Sequence, residues 1–86
     1  MSVAMVGTGV AKFAGISAPG AISVSGLKAG DRVIWIYLIA PTGSSYQFPN
    51  GVFEAVISND DEIQQKAGAG DLSGIDCEIV FVRQVG

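Results

Sequence analysis

The sequence contains no histidine and a single cysteine, Cys77. Without histidine, no imidazole is present to act as a general base or to activate a serine or cysteine nucleophile. Zinc sites built from cysteine and histidine are excluded for the same reason. Asp76 and Glu78 flank Cys77, and their negative charges raise a thiol pKa, so Cys77 is predicted to be a small core residue. These absences predict a protein that is not an enzyme and holds no metal or cofactor.

Charge is also scarce for a domain of this size. Only 15% of the 86 residues are charged, against about 25% in an average soluble domain. A small domain has a large surface relative to its volume, so part of this surface is expected to be buried against another molecule. The net charge is −3 and the five lysines and arginines are scattered along the chain. No basic patch is therefore predicted, and no nucleic-acid partner.

One long apolar run stands out, RVIWIYLIA, residues 32–40. A membrane helix needs about 20 apolar residues, so this run is too short and no membrane partner is predicted. Gly30 and Asp31 precede the run and Pro41 follows it, which limits it to one short element. Its β-branched and aromatic residues favour a strand, and we predict a central strand of a sheet.

Strict alternation divides this strand into two faces that are both apolar. One face would carry Val33, Trp35, Tyr37 and Ile39, and the other Ile34, Ile36, Leu38 and Ala40. The second face could be covered by loops of the same fold or by a partner subunit. The chain is too short to supply a helical layer there, so a partner subunit is the more economical cover. We therefore predict Ile34, Ile36 and Leu38 as interface residues and Trp35 as a core residue.

Short apolar segments separated by Gly, Pro, Asp and Ser turns make up the rest of the chain. No segment shows a sustained 3.6-residue periodicity, which argues against long amphipathic helices. Further strands are predicted at residues 2–6, 9–16, 21–26, 52–58, 62–65 and 78–85. The pattern predicts one all-β domain over residues 1–86, a small antiparallel β-sandwich or barrel-like fold of six to seven short strands.

Two motifs suggest ligands, and both are incomplete. Gly7-Thr8-Gly9 follows an apolar segment as in a dinucleotide-binding fingerprint, but Lys12 stands where the third glycine belongs. A glycine-rich turn or bulge between two strands is therefore predicted. NDDE, residues 59–62, clusters carboxylates without the spacing of a calcium-binding loop, so a solvated acidic turn is predicted.

Two connecting segments complete the prediction. Residues 26–31 are expected to turn the chain into the central strand, with Leu27 buried in the core. PTGSSYQFPNG, residues 41–51, is predicted to be a long loop. Its Tyr46 and Phe48 are aromatic residues of the kind that anchors interfaces, so they are interface candidates. The alternative is that both side chains cover the core beneath the loop.

Three segments together resemble small β-sandwich structural proteins of tailed bacteriophages. They are GLKAGDRVIWIYLI (26–39), FEAVISNDDEIQQ (53–65) and AGDLSGIDCEIVFVR (69–83). The resemblance implies a non-enzymatic virion protein, above all a capsid decoration (cement) protein. Such proteins bind across junctions of the major capsid protein lattice, often as trimers, and stabilise the shell. Residues 1–14 are the candidate for an extended N-terminal segment.

The resemblance also implies a location, because a virion protein is assembled in the host cytoplasm. A single cysteine leaves no internal disulfide, which fits that reducing compartment. Other classes stay open. A phage adhesion or tail-tip module would stack sugars on an exposed Tyr46, whereas an assembly protein would bury Tyr46 against a neighbour. A head-tail connector or tail-tube subunit predicts a ring of more than three copies, and a cytosolic β-domain without a virion role is the fourth class.

Overall fold

Six strands form two antiparallel sheets in the computed structural model, which describes residues 5–40, 43–47 and 51–85. The strands are β1 (Met5–Ala14), β2 (Gly20–Ser23), β3 (Arg32–Ala40), β4 (Gly43–Gln47), β5 (Glu62–Gln65) and β6 (Asp76–Val85). The larger sheet has the order β1-β6-β3-β4, and the smaller sheet pairs β2 with β5. Within the described ranges, a 3-10 turn at Ala67–Ala69 is the only helical segment. The prediction of an all-β sandwich is confirmed, and the sheets do not close into a barrel.

The apolar run RVIWIYLIA forms β3 with the predicted bounds, Arg32–Ala40, between β6 and β4. Strict alternation fails within it, because the register with β6 shifts between Val33 and Trp35, where a β-bulge inserts Ile34. A bulge turns the side chains that follow it to the opposite face. Val33 and Ile36 therefore both face the core, and the predicted division of β3 into two faces is wrong beyond the bulge.

β1 pairs with β6 along all ten of its residues. The predicted turn or bulge at Gly7-Thr8-Gly9 is wrong, because these residues lie inside the strand. Gly9 is directly opposite Phe81, and a Cβ atom at Gly9 would overlap the Phe81 ring. Any larger residue at position 9 would therefore have to displace the Phe81 ring, which lies close against the backbone of β1. Residues 5–14 of the candidate N-terminal segment are thus a strand of the larger sheet.

Residues 52–58 do not form the predicted regular strand, because this segment pairs with both sheets in turn. The Glu54 N–H donates to the Gln64 carbonyl at 3.0 Å, which places the start of the segment beside β5. The Val33 N–H donates to the Ala55 carbonyl at 2.8 Å, which places the end of the segment beside β3. The segment therefore joins the two sheets along one side of the sandwich.

The core fills the space between the sheets, and Leu27 is part of it as predicted. The Gln65 side chain is buried there with its polar atoms paired. Its amide donates to the Ile16 carbonyl at 2.8 Å and to the Gly70 carbonyl at 3.1 Å, and its oxygen accepts from the Ile16 N–H. The buried apolar residues are Ile22, Val24, Leu27, Val33, Ile36, Leu38, Val52, Phe53, Ile57, Ile63, Leu72, Cys77, Ile79 and Phe81.

The segment over residues 41–51 was predicted to be a loop, and part of it is a strand instead. β4 returns antiparallel to β3, and the backbone of Tyr46 pairs with that of Tyr37. Phe48 lies outside the described residues. No helix in the described parts of the chain is long and apolar enough to cross a membrane.

Candidate interaction surface

The larger sheet has one side packed on the core and one side facing outward. Along β6, the buried Ile79 and Phe81 alternate with Val80 and Val82, which are partly exposed. Val56 bridges to Arg32 at the start of β3, and directly opposed residues project to the same side of a sheet. The outward side, termed the outer face, carries Thr8, Val10, Lys12, Ala14, Arg32, Ile34, Trp35, Tyr37, Ile39, Val56, Asp76, Glu78, Val80 and Val82.

Exposed apolar area is concentrated on the outer face. Within the described residues, the large hydrophobic side chains that are exposed are Val10 at 56%, Ile34 at 45%, Val56 at 43% and Ile39 at 40%. All four belong to the outer face, and none lies on the solvent side of the smaller sheet. Single exposed apolar residues are ordinary on protein surfaces, but a contiguous group marks an interaction site.

Cross-strand register arranges the outer face in rows. Val10, Val80 and Trp35 are paired across β1, β6 and β3. Neighbours in such a row have Cβ atoms about 4.5–5.5 Å apart, so the three side chains form a continuous apolar stripe. In the next row Lys12 lies directly opposite Glu78, which places opposite charges side by side. The outer face is thus an apolar stripe bordered by charges of both signs.

The predicted interface residues of β3 divide between the two faces. Ile34 is exposed on the outer face, as an interface residue must be in the free chain. Ile36 is 0% exposed and Leu38 is 9% exposed, both within the core. Their prediction as interface residues is wrong, because the bulge at Ile34 exchanges the faces beyond it. The same exchange makes the prediction of Trp35 as a core residue wrong, since it lies partly exposed on the outer face.

Sequence reasoning missed four other residues of this surface. Val10 and Ile39 lie on β1 and β3, Val56 on the connecting segment and Val80 on β6. The signal for Val80 was available, because residues 78–85 alternate two apolar sets, and only one of them can face the core. Ile39 was placed on the same face as Trp35, which was predicted to lie in the core, and this error follows from the missed bulge. No alternation of apolar residues marks Val56 as exposed, because the connecting segment passes from β5 to β3 immediately before this residue.

Tyr46 was an interface candidate and belongs to β4. Its backbone pairs with Tyr37 of the outer face. Phe48 was the other candidate of this segment and lies outside the described residues. Both therefore remain predictions.

The clustered carboxylates of residues 59–62 hold the chain turn that leads into β3. Asp61 Oδ1 accepts from the Gly26 N–H and Asp60 Oδ1 accepts from the Ala29 N–H, both at 2.9 Å. These bonds satisfy backbone donors, which is a structural use of acidic side chains. Within the described residues, no group of three or more Cys, Asp or Glu side chains could hold a metal ion.

An ion pair between Asp31 and Arg83 joins β6 to the turn before β3. The Asp31 carboxylate is 1% exposed and accepts from Arg83 Nε at 2.8 Å and Nη2 at 2.7 Å. It also accepts from the Lys28 N–H, and Arg83 Nη2 donates to the Gly26 carbonyl. The bidentate hydrogen bond from Arg83 lowers the pKa of Asp31. The pair therefore fastens β6 to the turn before β3.

Cys77 is 1% exposed in the core, as predicted. Burial, with Asp76 adding to it, raises the pKa of the Cys77 thiol to about 11. A thiol with that pKa is protonated at neutral pH and is a poor nucleophile. Cys77 therefore contributes to core packing and not to nucleophilic chemistry.

Comparison with known proteins identifies no relative of this chain. No family model matches it, and neither a curated protein nor a solved structure matches it.

Proposed function

We propose that this chain is a non-enzymatic virion structural protein of a tailed bacteriophage, a capsid decoration protein whose outer face binds the major capsid protein lattice. The observation that carries the proposal is the outer face itself, because the four exposed large apolar side chains of the described residues all lie on this one side of the larger sheet. The resemblance of residues 26–39, 53–65 and 69–83 to small phage sandwich proteins supports the choice of the capsid as partner.

The size of the apolar contribution matches a protein that acts in many copies. Burying one such side chain completely is worth about 1.5–3 kcal/mol, so four that are roughly half exposed supply about 3–6 kcal/mol together. Association costs about 4–15 kcal/mol in lost freedom of motion. One copy alone would therefore bind weakly, and linked copies on a repeating lattice would bind much more tightly.

Thermodynamic linkage between binding and assembly explains how a decoration protein stabilises the shell. A protein that binds the assembled lattice, and not the dispersed subunits, stabilises the assembled state by its binding free energy summed over all sites. The lattice supplies those sites by symmetry, so each one needs only a modest interface. A sheet face that is already ordered loses little conformational entropy on binding, which suits a small domain with few contacts per site.

Binding to purified shells tests the proposal. Shells are prepared from the phage whose genome encodes this chain, with the gene deleted, and are mixed with purified protein before sedimentation. The unaltered protein is expected to sediment with the shells and to raise the temperature at which they release DNA. Ile39→Lys and Val56→Lys are expected to abolish co-sedimentation, because each places a charge in the apolar surface.

A matched control separates the outer face from general surface charge. Ala21→Lys adds the same charge at an exposed position of β2, on the other sheet, and is expected to leave shell binding unchanged. Equal binding by Ile39→Lys and the unaltered protein would refute the outer face as the docking surface. Absence of binding by the unaltered protein would refute the capsid as its partner.

A further inference from the structure

β1 is the edge strand of the larger sheet, and one of its two hydrogen-bonding edges is open. It pairs with β6 on one side over ten residues, and no other described strand pairs with it on the other side. A strand edge of this length presents a row of backbone donors and acceptors that another strand can pair with. The edge strand at the opposite border is β4, which is only five residues long, and a short edge strand offers fewer groups for pairing.

Nothing in β1 blocks an added strand. Proteins protect such edges with proline, bulges, short length or several charges. β1 contains no proline, its register with β6 runs without a bulge, and its only charged residue is Lys12. A groove lies beside β1, between residues 10–12 and residues 23–27, which are the end of β2 and the turn that follows it. The edge is therefore accessible along its middle.

We propose that β1 pairs antiparallel with β1 of a second copy about a twofold axis at Val10, an inference that rests on the proposed function. Val10 is 56% exposed, the highest value among the exposed large apolar residues of the described chain. With Val10 opposite its own counterpart, Thr8 faces Lys12 of the other copy, so the two lysines do not oppose each other. Each copy then keeps its outer face on the same side of the joined sheet.

This pairing gives the outer face the area that a stable contact needs. Strands lie about 4.8 Å apart and rise about 3.4 Å per residue, so the outer face of one copy projects roughly 450–500 Å². A specific interface buries about 800 Å² on each partner. Two copies joined edge to edge present roughly twice the single area as one surface, which reaches that size. Pairing with a second copy at the β1 edge therefore also gives the outer face the area of a specific interface.

The mass in solution tests the pairing. Sedimentation equilibrium of the unaltered protein is expected to give two chains of 8.8 kDa at concentrations above the dissociation constant. Two variants at one position then test the register, because Thr8 faces Lys12 of the other copy in both halves of the dimer. Thr8→Glu is expected to tighten the dimer and Thr8→Lys to loosen it, each by about threefold to tenfold.

Proline variants test whether the backbone edge carries the contact. Successive residues of a strand direct their N–H groups to opposite sides, so one of Val10→Pro and Ala11→Pro removes an N–H from the open edge and the other breaks pairing with β6. The edge variant is expected to stay folded by circular dichroism and to be monomeric. Ile39→Lys alters the outer face on β3, two strands away from the open edge, and is expected to remain dimeric.

The outcomes separate this inference from the proposed function. A trimer, a monomer at millimolar concentration, or a dimer that responds equally to Thr8→Glu and Thr8→Lys would overturn the β1 pairing. None of those results bears on shell binding, which is measured separately. A dimer with the expected charge response that fails to bind shells would retain the pairing and overturn the capsid assignment.

Discussion

Ile34 and Ile36 of β3 should respond very differently to the same substitution. Ile36 is 0% exposed in the core, whereas Ile34 is 45% exposed on the outer face. Ile36→Ala removes a fully buried side chain and leaves a cavity, a change that costs about 2–5 kcal/mol. A domain of this size has a free energy of unfolding of about 4–13 kcal/mol. The substitution therefore removes a large part of the total stability.

Ile34→Ala is the matched control, with the same residue type on the same strand two positions away. Half of its side chain is already in water, and a surface change of this kind costs about 1 kcal/mol or less. Urea unfolding followed by circular dichroism measures both variants. The midpoint should fall for Ile36→Ala with an unchanged slope, because the slope reports the surface exposed on unfolding.

The comparison tests the bulge in β3 directly. Without the bulge, strict alternation would place Ile34 and Ile36 on the same face, and the two substitutions would cost similar amounts. Equal losses of unfolding free energy, or a larger loss for Ile34→Ala, would refute the arrangement of the two faces. The definition of the outer face would then have to change with it.

Three further predictions concern the interior. The pKa of Asp31 lies below its ordinary value of 3.8 because Arg83 donates hydrogen bonds to it. The ionised Asp31 therefore stabilises the fold at pH values above 3.8, and this stabilisation is lost as the pH falls through the lowered pKa. Asp31→Asn should lower the free energy of unfolding at pH 7 and make that free energy depend less on pH below pH 4. Gly9→Ala should lower the thermal midpoint by several degrees, and the loss should shrink in a background of Phe81→Leu, because the ring occupies the space of the new methyl group. Cys77 should react with a thiol reagent only after denaturant is added, and rapid labelling of the native protein would contradict its burial.

Composition and the spacing of turns were enough to predict the fold class. The run at Arg32–Ala40 is bounded by Gly30, Asp31 and Pro41, so both its bounds and its strand character followed from local signals. Glu62–Gln65 was likewise predicted and is confirmed as β5. These elements were predictable because local propensity, turn residues and burial agree within each of them.

The outer face could not be derived correctly from sequence, because one inserted residue decides it. A bulge at Ile34 has no clear composition signal, and its effect is to exchange every later side chain of β3 between the faces. Gly7 and Gly9 misled for a related reason, since glycine in a strand and glycine in a turn look alike until the ring of Phe81 is placed opposite. Strand pairings between residues far apart in sequence determine the outer face, and they also explain why the sequence-based predictions of that face were wrong.

The copy number of this chain in purified virions tests the central claim most directly. Under the proposal, virions of a tailed phage whose genome carries this sequence would be digested, and peptides of this chain would be quantified against those of the major capsid protein by mass spectrometry with labelled standards. A decoration protein is expected at hundreds of copies, in a fixed simple ratio to the major capsid protein, since it occupies lattice sites. A few copies or a dozen per virion, as for an adhesion module or a connector, would contradict the capsid role, and absence from the virion would contradict the virion assignment as a whole.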